Sequence, residues 1–361
     1  MTVKDIRRPM PLPRPLPRRA AGSIRALVLF AALLLASCAS VLPASHERAA
    51  GPPGLEAYLR ALARGFDGRV GIAVEDVQTG WVAAYDGAGV YPQQSVSKLW
   101  VGLAVFDAVD RGKLSLSDPV LVRREDMSVF NQPIQKVLGE AGYPTTIDGL
   151  LGWSLSKSDN AADDILMSRV GGPGVVQHVV ASRHLKGVKS GPPEHLLEAK
   201  VAGLSWKPEY SFGQAFWTAR GAVPMRVRAA KLEAYLSNPD DGATPIAIVD
   251  GLSRLKRGEL LSPASTARFL DLLAASETGP LRLKAGLAPG WSIAHKTGTG
   301  QDLGELSTGY NDVGLLTAPD GRAYAVAVMI ASTRRPIPDR QTLMASVARA
   351  VVAAHDHTLV R

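Results

Sequence analysis

The sequence predicts an α/β (α+β) fold in which strands from both ends of the chain build one antiparallel sheet flanked by helices, with an all-helical lobe inserted between them. Two observations carry this. Apolar and polar residues alternate in strand fashion at 69–77 and 81–85, and again far down the chain at 290–297, 311–318 and 323–331. Most of 99–285 reads instead as helices separated by proline and glycine turns. A chain of 361 residues, 46% hydrophobic and 20% charged, has ample sequence for a sizeable core. The sheet lobe takes about 54–93 and 286–361, and the helical lobe about 94–285.

The elements follow in order. A first helix over 54–65 places Leu55, Tyr58, Leu59 and Leu62 on one face at i, i+3, i+4, i+7. The next two strands are joined as a hairpin by Gln78-Thr79-Gly80. From Val96 to about Ala108 the pattern is helical and strongly apolar, and further helices are expected over 147–155 and 161–170. The last two strands meet through Pro319-Asp320-Gly321-Arg322, a hairpin signal, and a helix over about 339–354 closes the chain. No internal repeat is visible.

The formal net charge of +8 does not point to nucleic acid, because +6 of it lies in residues 1–37, which hold seven basic groups and one acid. That basic leader runs into an apolar stretch at 26–36, too short to span a bilayer but suited to the apolar core of an export signal. It ends in Leu35-Ala36-Ser37-Cys38, which resembles the lipobox of bacterial lipoproteins, and Cys38 is the sole cysteine. The expected organisation is therefore a signal peptide over 1–37, a lipidated tether over 38–53 with Pro43, Pro52 and Pro53, and one folded domain over 54–361. The expected address is a periplasm-facing lipoprotein, with Ala39-Ser40 pointing to the outer membrane. Met10 is an alternative start.

Three short patterns carry the chemistry. In Ser95-Val96-Ser97-Lys98, Ser95 stands at the start of a helix, near its free N–H groups, with Lys98 one turn on. A serine hydroxyl needs a base to take its proton, and a lysine serves if burial and nearby cations depress its pKa. In Ser158-Asp159-Asn160, Ser158 can relay a proton to a departing nitrogen, the Asn160 amide can hold a carbonyl, and Asp159 reads as structural. In Lys296-Thr297-Gly298-Thr299-Gly300, a lysine and threonine hydroxyl can grip a carboxylate, and glycine allows close backbone approach. The N–H groups of Thr299 and Ser95 would form an oxyanion hole. Singly, each pattern also has a plain structural account, with Ser95 and Ser158 as helix caps and Lys296 as a solvated strand lysine. The seven histidines show no ligand spacing, so neither metal nor other cofactor is expected.

The three patterns in this order resemble the class A β-lactamases, and the likeness runs from about residue 54 to the C-terminus. Gly258-Glu259-Leu260-Leu261-Ser262-Pro263 and Gly290-Trp291 are similar to family segments as well. The resemblance implies attack by Ser95 on a β-lactam, an acyl-enzyme, and its hydrolysis by water that a glutamate activates. Glu194, 36 residues after Ser158, takes that glutamate's place, with Glu198 and Glu209 as the next candidates. Leu197 matches the family's Glu-x-x-Leu-Asn, but Glu198 replaces the asparagine that helps hold the water. Between Glu194 and Thr244-Pro245 lie about fifty residues, more than the family has, including Trp206, Tyr210, Phe212, Phe216, Trp217 and Tyr235. This insert could roof the pocket. Arg282 occupies a position from which the family binds the substrate carboxylate, ahead of Arg334 and Arg340, and His295 neighbours Lys296. The implied partner is a β-lactam or a peptidoglycan-like substrate, met by a monomer. Two other readings are a D,D-peptidase of the same superfamily with slow deacylation, and a catalytically silent envelope-binding lipoprotein.

Overall fold

The computed structural model describes residues 51–52 and 54–359. The leader, Cys38 and most of the tether lie outside the described residues.

Helix α1 (Leu55–Arg64) leads into strands β1 (Gly68–Asp76), β2 (Val82–Tyr85) and β3 (Tyr91–Pro92), then a 3-10 turn over Gln94–Ser97 and helix α2 (Lys98–Asp110). Strands β4 (Pro119–Val122) and β5 (Tyr143–Thr146) precede α3 (Ile147–Leu151), α4 (Asn160–Arg169), α5 (Pro173–Ser182) and α6 (Glu194–Val201). Helices α7 (Ala215–Ala222) and α8 (Met225–Ser237), strand β6 (Gly242–Ala243), α9 (Pro245–Lys256) and α10 (Pro263–Ala274) follow. The chain then returns through β7 (Ser292–Thr299), β8 (Asp302–Leu303), β9 (Leu306–Thr317) and β10 (Ala323–Thr333) to α11 (Ile337–Leu359).

One six-stranded sheet has the order β2-β1-β10-β9-β7, with β8 paired to β9. All its pairings are antiparallel, with Ile72 opposite Val328, Ala327 opposite Val313 and Lys296 opposite Val313 in register. Because chain-terminal β9 and β10 sit between β1 and β7, the two ends of the sequence share one sheet, as their strand patterns require. Strand β10 is covered on both faces, and its side chains divide by parity. Val326, Val328 and Ile330 enter a core with α1 and α11. The smaller Ala325 and Ala327, with Met329, face the core built from α2, α9 and α10, where Phe106 stacks on Phe269 at 5.3 Å between centroids. A buried leucine or phenylalanine in either core is worth roughly 2–5 kcal/mol against alanine.

Several local expectations are corrected. The inserted lobe is not all-helical: β4 pairs with β5, and β3 with β6. The helix expected over 96–108 is divided, because Gln94 has a left-handed backbone (φ 55) and tightens the first turn to 3-10 form before α2 begins. The helix expected over 147–155 relaxes after Leu151 into a π-turn over Gly152–Ser156. Strand β7 starts two residues later than expected and runs through Thr299, so Lys296, Thr297 and Gly298 lie inside it. Strand β9 and helix α11 are longer than the sequence pattern indicates.

Candidate active site

Ser95 sits in the 3-10 turn ahead of α2, not within the helix. Asp241, just ahead of β6, and Tyr235 of α8 hold that turn. The Gln94 N–H donates to Asp241 Oδ2 (2.6 Å), Gln94 Nε2 donates to Tyr235 Oη (2.7 Å), and Tyr235 Oη donates to Asp241 Oδ1 (2.9 Å). Gln93 Nε2 donates to the Asp241 carbonyl at 2.6 Å, and Trp100 Nε1 to Gln93 Oε1 at 2.6 Å. Strand β7 presses on the same turn. A Cβ on Gly298 would stand 2.4 Å from the Gln93 carbonyl oxygen, so only glycine fits there.

Lys98 is fully buried, and its Nζ donates to Ser95 Oγ (2.9 Å), to Asn160 Oδ1 (2.9 Å) and to Glu194 Oε1 in a very short ion pair. The sequence reading required a depressed lysine here, and the structure corrects it. Burial pushes the Lys98 ammonium toward losing its proton, but the charges of Glu194 and Asp163 outweigh burial and hold its pKa above the ordinary lysine value. Lys98 thus holds its proton more firmly than an ordinary lysine, with the Glu194 carboxyl group directly beside it. The depressed lysine is Lys296. It is buried, donates to Ser158 Oγ at 2.7 Å, and lies well below the ordinary value through desolvation, aided by the Lys98 charge.

The elements that aim these groups use familiar local physics. Asp159 caps α4 by accepting from the Ala162 N–H (2.9 Å) and ties in the Ile134 N–H (2.7 Å); burial pushes its pKa up to about 6. Ser158 just before it has a left-handed backbone (φ 59). Asn160 Nδ2 donates to the Val129 carbonyl (2.8 Å), which leaves one amide hydrogen to offer. Glu194, buried at the first position of α6, has its backbone N–H held by Asp164 Oδ1 at 2.6 Å. Asp164 Oδ2 also accepts from Ser128 Oγ (2.7 Å) and faces His195 Nδ1 (2.7 Å). Asp163 accepts from Ser154 Oγ (2.7 Å), and burial pushes it up to about 7.

The structure thus brings Ser95, Lys98, Asn160 and Glu194 into direct contact, and joins Ser158 to Lys296. Thr297 Oγ1 lies 2.8 Å from Thr278 Oγ1. Arg282 also bonds within the protein. Its Nη1 donates to the carbonyls of Gly298 (3.1 Å) and Asn311 (2.6 Å), its Nη2 to Thr299 Oγ1 (2.7 Å), and its guanidinium stacks 3.8 Å over Tyr310. These three hydrogen bonds brace the end of β7. Arg340 donates to Ser307 Oγ and the Arg335 carbonyl, and His295 pairs with Asp312 at 2.8 Å. Glu209 is exposed beside Lys207.

Of the insert's aromatic residues, Trp206, Tyr210 and Phe216 form a satellite core with Val129, Phe130 and Ala202. Trp206 lies 4.9 Å from His195 between ring centroids, so the insert packs against the helix that carries Glu194. Asp164, Asp241 and Gln301 escaped the sequence reading, and Tyr235 entered it only as an aromatic of the insert, because each acts on a residue far away in the chain and no local pattern marks such a partner.

The model of the β-lactamase enzyme family matches residues 54–355. The chain is 28% identical over 330 residues to the extended-spectrum β-lactamase PER-1 of Pseudomonas aeruginosa, covering 90% of this chain and 94% of that one. It is 26% identical over 329 residues to β-lactamase CTX-M-25 of Escherichia coli, covering 91% and 98%. The crystal structure of a β-lactamase from Chitinophaga pinensis superposes with a TM-score of 0.68 at 25% identity, covering 84% of this chain and 99% of that one. The chain belongs to the β-lactamase enzyme family, as a serine β-lactamase of class A.

Proposed function

We propose that Ser95 is the nucleophile of this β-lactamase and that Glu194 serves both halves of its cycle. The observation that carries this is Lys98 Nζ, which bridges Ser95 Oγ and Glu194 Oε1. In acylation Lys98 passes a proton to the Glu194 carboxylate and takes the proton of Ser95 Oγ. The serine oxygen then bonds the β-lactam carbonyl carbon, with the N–H groups of Ser95 and Thr299 receiving the developing oxyanion. The ring C–N bond breaks, and its nitrogen takes the proton of Ser158 Oγ, which Lys296 replaces across 2.7 Å. Thr297 and Thr299 bear on the substrate carboxylate, and the Asn160 amide on its side-chain carbonyl. Before deacylation Glu194 gives up the proton it gained and Lys296 regains one from solvent. Glu194 then takes a proton from water as the water oxygen attacks the ester, and that proton passes through Lys98 to Ser95 Oγ as the ester C–O bond breaks. A D,D-peptidase-like enzyme with slow deacylation would need no carboxylate at this place, and buried Glu194 favours hydrolysis.

Ser95→Ala is expected to lower kcat/KM for a chromogenic cephalosporin by at least about 10⁴-fold, while thermal stability stays near wild type. Wild-type rates in Ser95→Ala would overturn the assignment.

We also propose that Cys38 carries the lipid of an exported, outer-membrane lipoprotein that faces the periplasm. The proposal rests on the leader and its Leu35-Ala36-Ser37-Cys38 terminus. Labelled palmitate is expected to enter the wild-type chain and not Cys38→Ala; equal labelling of both would refute it.

A further inference from the structure

We propose that Glu198 works in deacylation as a neutral carboxylic acid, a positioning residue whose hydroxyl orients the attacking water toward the Ser95 ester. The inference rests on the acyl-enzyme reading above and deepens it. Glu198 lies one turn after Glu194 on α6, so both side chains share a helix face. It is 5% exposed, and among the described residues no cation stands within ion-pair distance of it. Ionised, it would be a second buried negative charge beside Glu194 without a counter-ion, which is strongly unfavourable.

The hydrogen bonds place the proton. Gln301, in the turn between β7 and β8, donates Nε2 to Glu198 Oε2 at 2.6 Å and to the Glu198 carbonyl at 2.9 Å. Oε2 is therefore the acceptor oxygen, and the acid proton resides on Oε1. A neutral carboxyl with one donor and one acceptor face does what a carboxamide does. A water beside it accepts a hydrogen bond from Oε1–H, gives its own proton to Glu194 and turns a lone pair to the ester carbon.

The groups around Glu198 act in both directions. Burial and the Glu194 charge push its pKa up to about 8, joined by Asp241 ahead of β6. The Gln301 hydrogen bond and the Lys98 charge from α2 oppose them. Tyr235 of α8 and Arg220 of α7 also interact with its charge. Glu198 thus stays neutral through pH 7, and its donor is lost as pH rises past about 8.

The test separates acylation from deacylation by rapid-quench mass spectrometry of the full chain with benzylpenicillin, from pH 6 to pH 10. Wild-type deacylation is expected to fall above about pH 8, approaching tenfold per pH unit. Glu198→Gln retains an N–H donor, so it should keep the pH 7 rate within about threefold and lose this alkaline limb. Gln301→Met removes a bond that favours the ionised form, so its limb should move to higher pH. The limb's disappearance in Glu198→Gln separates it from any titration of Lys296. An unchanged limb in Glu198→Gln, or no limb in wild type, overturns the proposal. Absence of any acyl-enzyme in wild type overturns instead the acyl-transfer reading, and this proposal with it.

Discussion

Glu194→Gln is expected to convert the enzyme into one that binds a penicillin covalently and holds it. Removing a general base of this kind costs about 10²–10⁴ in rate, here in deacylation. Acylation should persist, for a reason visible in the site. The charge of Glu194 is the largest of those that hold Lys98 above its ordinary pKa against burial. With that charge gone, burial is opposed only by Asp163 and Asp164, so Lys98 moves toward the neutral form that can accept the Ser95 proton across 2.9 Å. The glutamine keeps the shape of the side chain, and the Asp164 bond to the backbone N–H at 194 is untouched. Intact-mass measurement over time after mixing with penicillin should show a Ser95 adduct lasting at least a hundred times longer than in wild type. Unchanged release would mean that another group activates the water.

Much of this site was legible in the sequence because motif residues lie at fixed offsets on regular elements. Ser95 and Lys98 are one turn apart, Ser158 and Asn160 open α4, and Lys296 and Gly298 alternate along β7. The sheet was legible for the same reason: β1, β9 and β10 carry long apolar runs bounded by turns. What the sequence hid is of two kinds. Short pairings such as β4 with β5 and β3 with β6 contain too few residues for a period to show. Charge states were hidden as well, because they depend on neighbours from distant segments. Lys98 and Lys296 are both buried lysines in motifs, yet one is raised by Glu194 and Asp163 and the other lowered by burial and Lys98. Arg282 shows the same limit. Its position along the chain suggests a ligand for substrate, and only the fold reveals that Gly298, Thr299, Asn311 and Tyr310 also engage its guanidinium.

Lys98→Met is expected to abolish acylation and also to destabilise the fold, and the two losses can be separated. The side chains of Lys98 and Glu194 are 0% and 5% exposed, so removing the ammonium leaves a buried carboxylate charge with no cation beside it. Breaking a buried pair in this way costs about 3–5 kcal/mol. The sign of the pH dependence follows from Lys98, whose folded pKa is raised. Its stabilisation is fully present below the ordinary lysine value and is lost only as pH rises through the folded value. Thermal melts of wild type and Lys98→Met should therefore differ fully at pH 7, with the gap closing only at strongly alkaline pH. Adding Glu194→Gln removes the orphaned charge, because a buried pair replaced as a unit costs little. The double variant Lys98→Met/Glu194→Gln is then expected to regain most of the lost stability while remaining unable to form the Ser95 adduct. Recovery of penicillin acylation along with stability would show that Lys98 serves only the fold; a melt as low as that of Lys98→Met would show that the charge pair is not what the lysine stabilises.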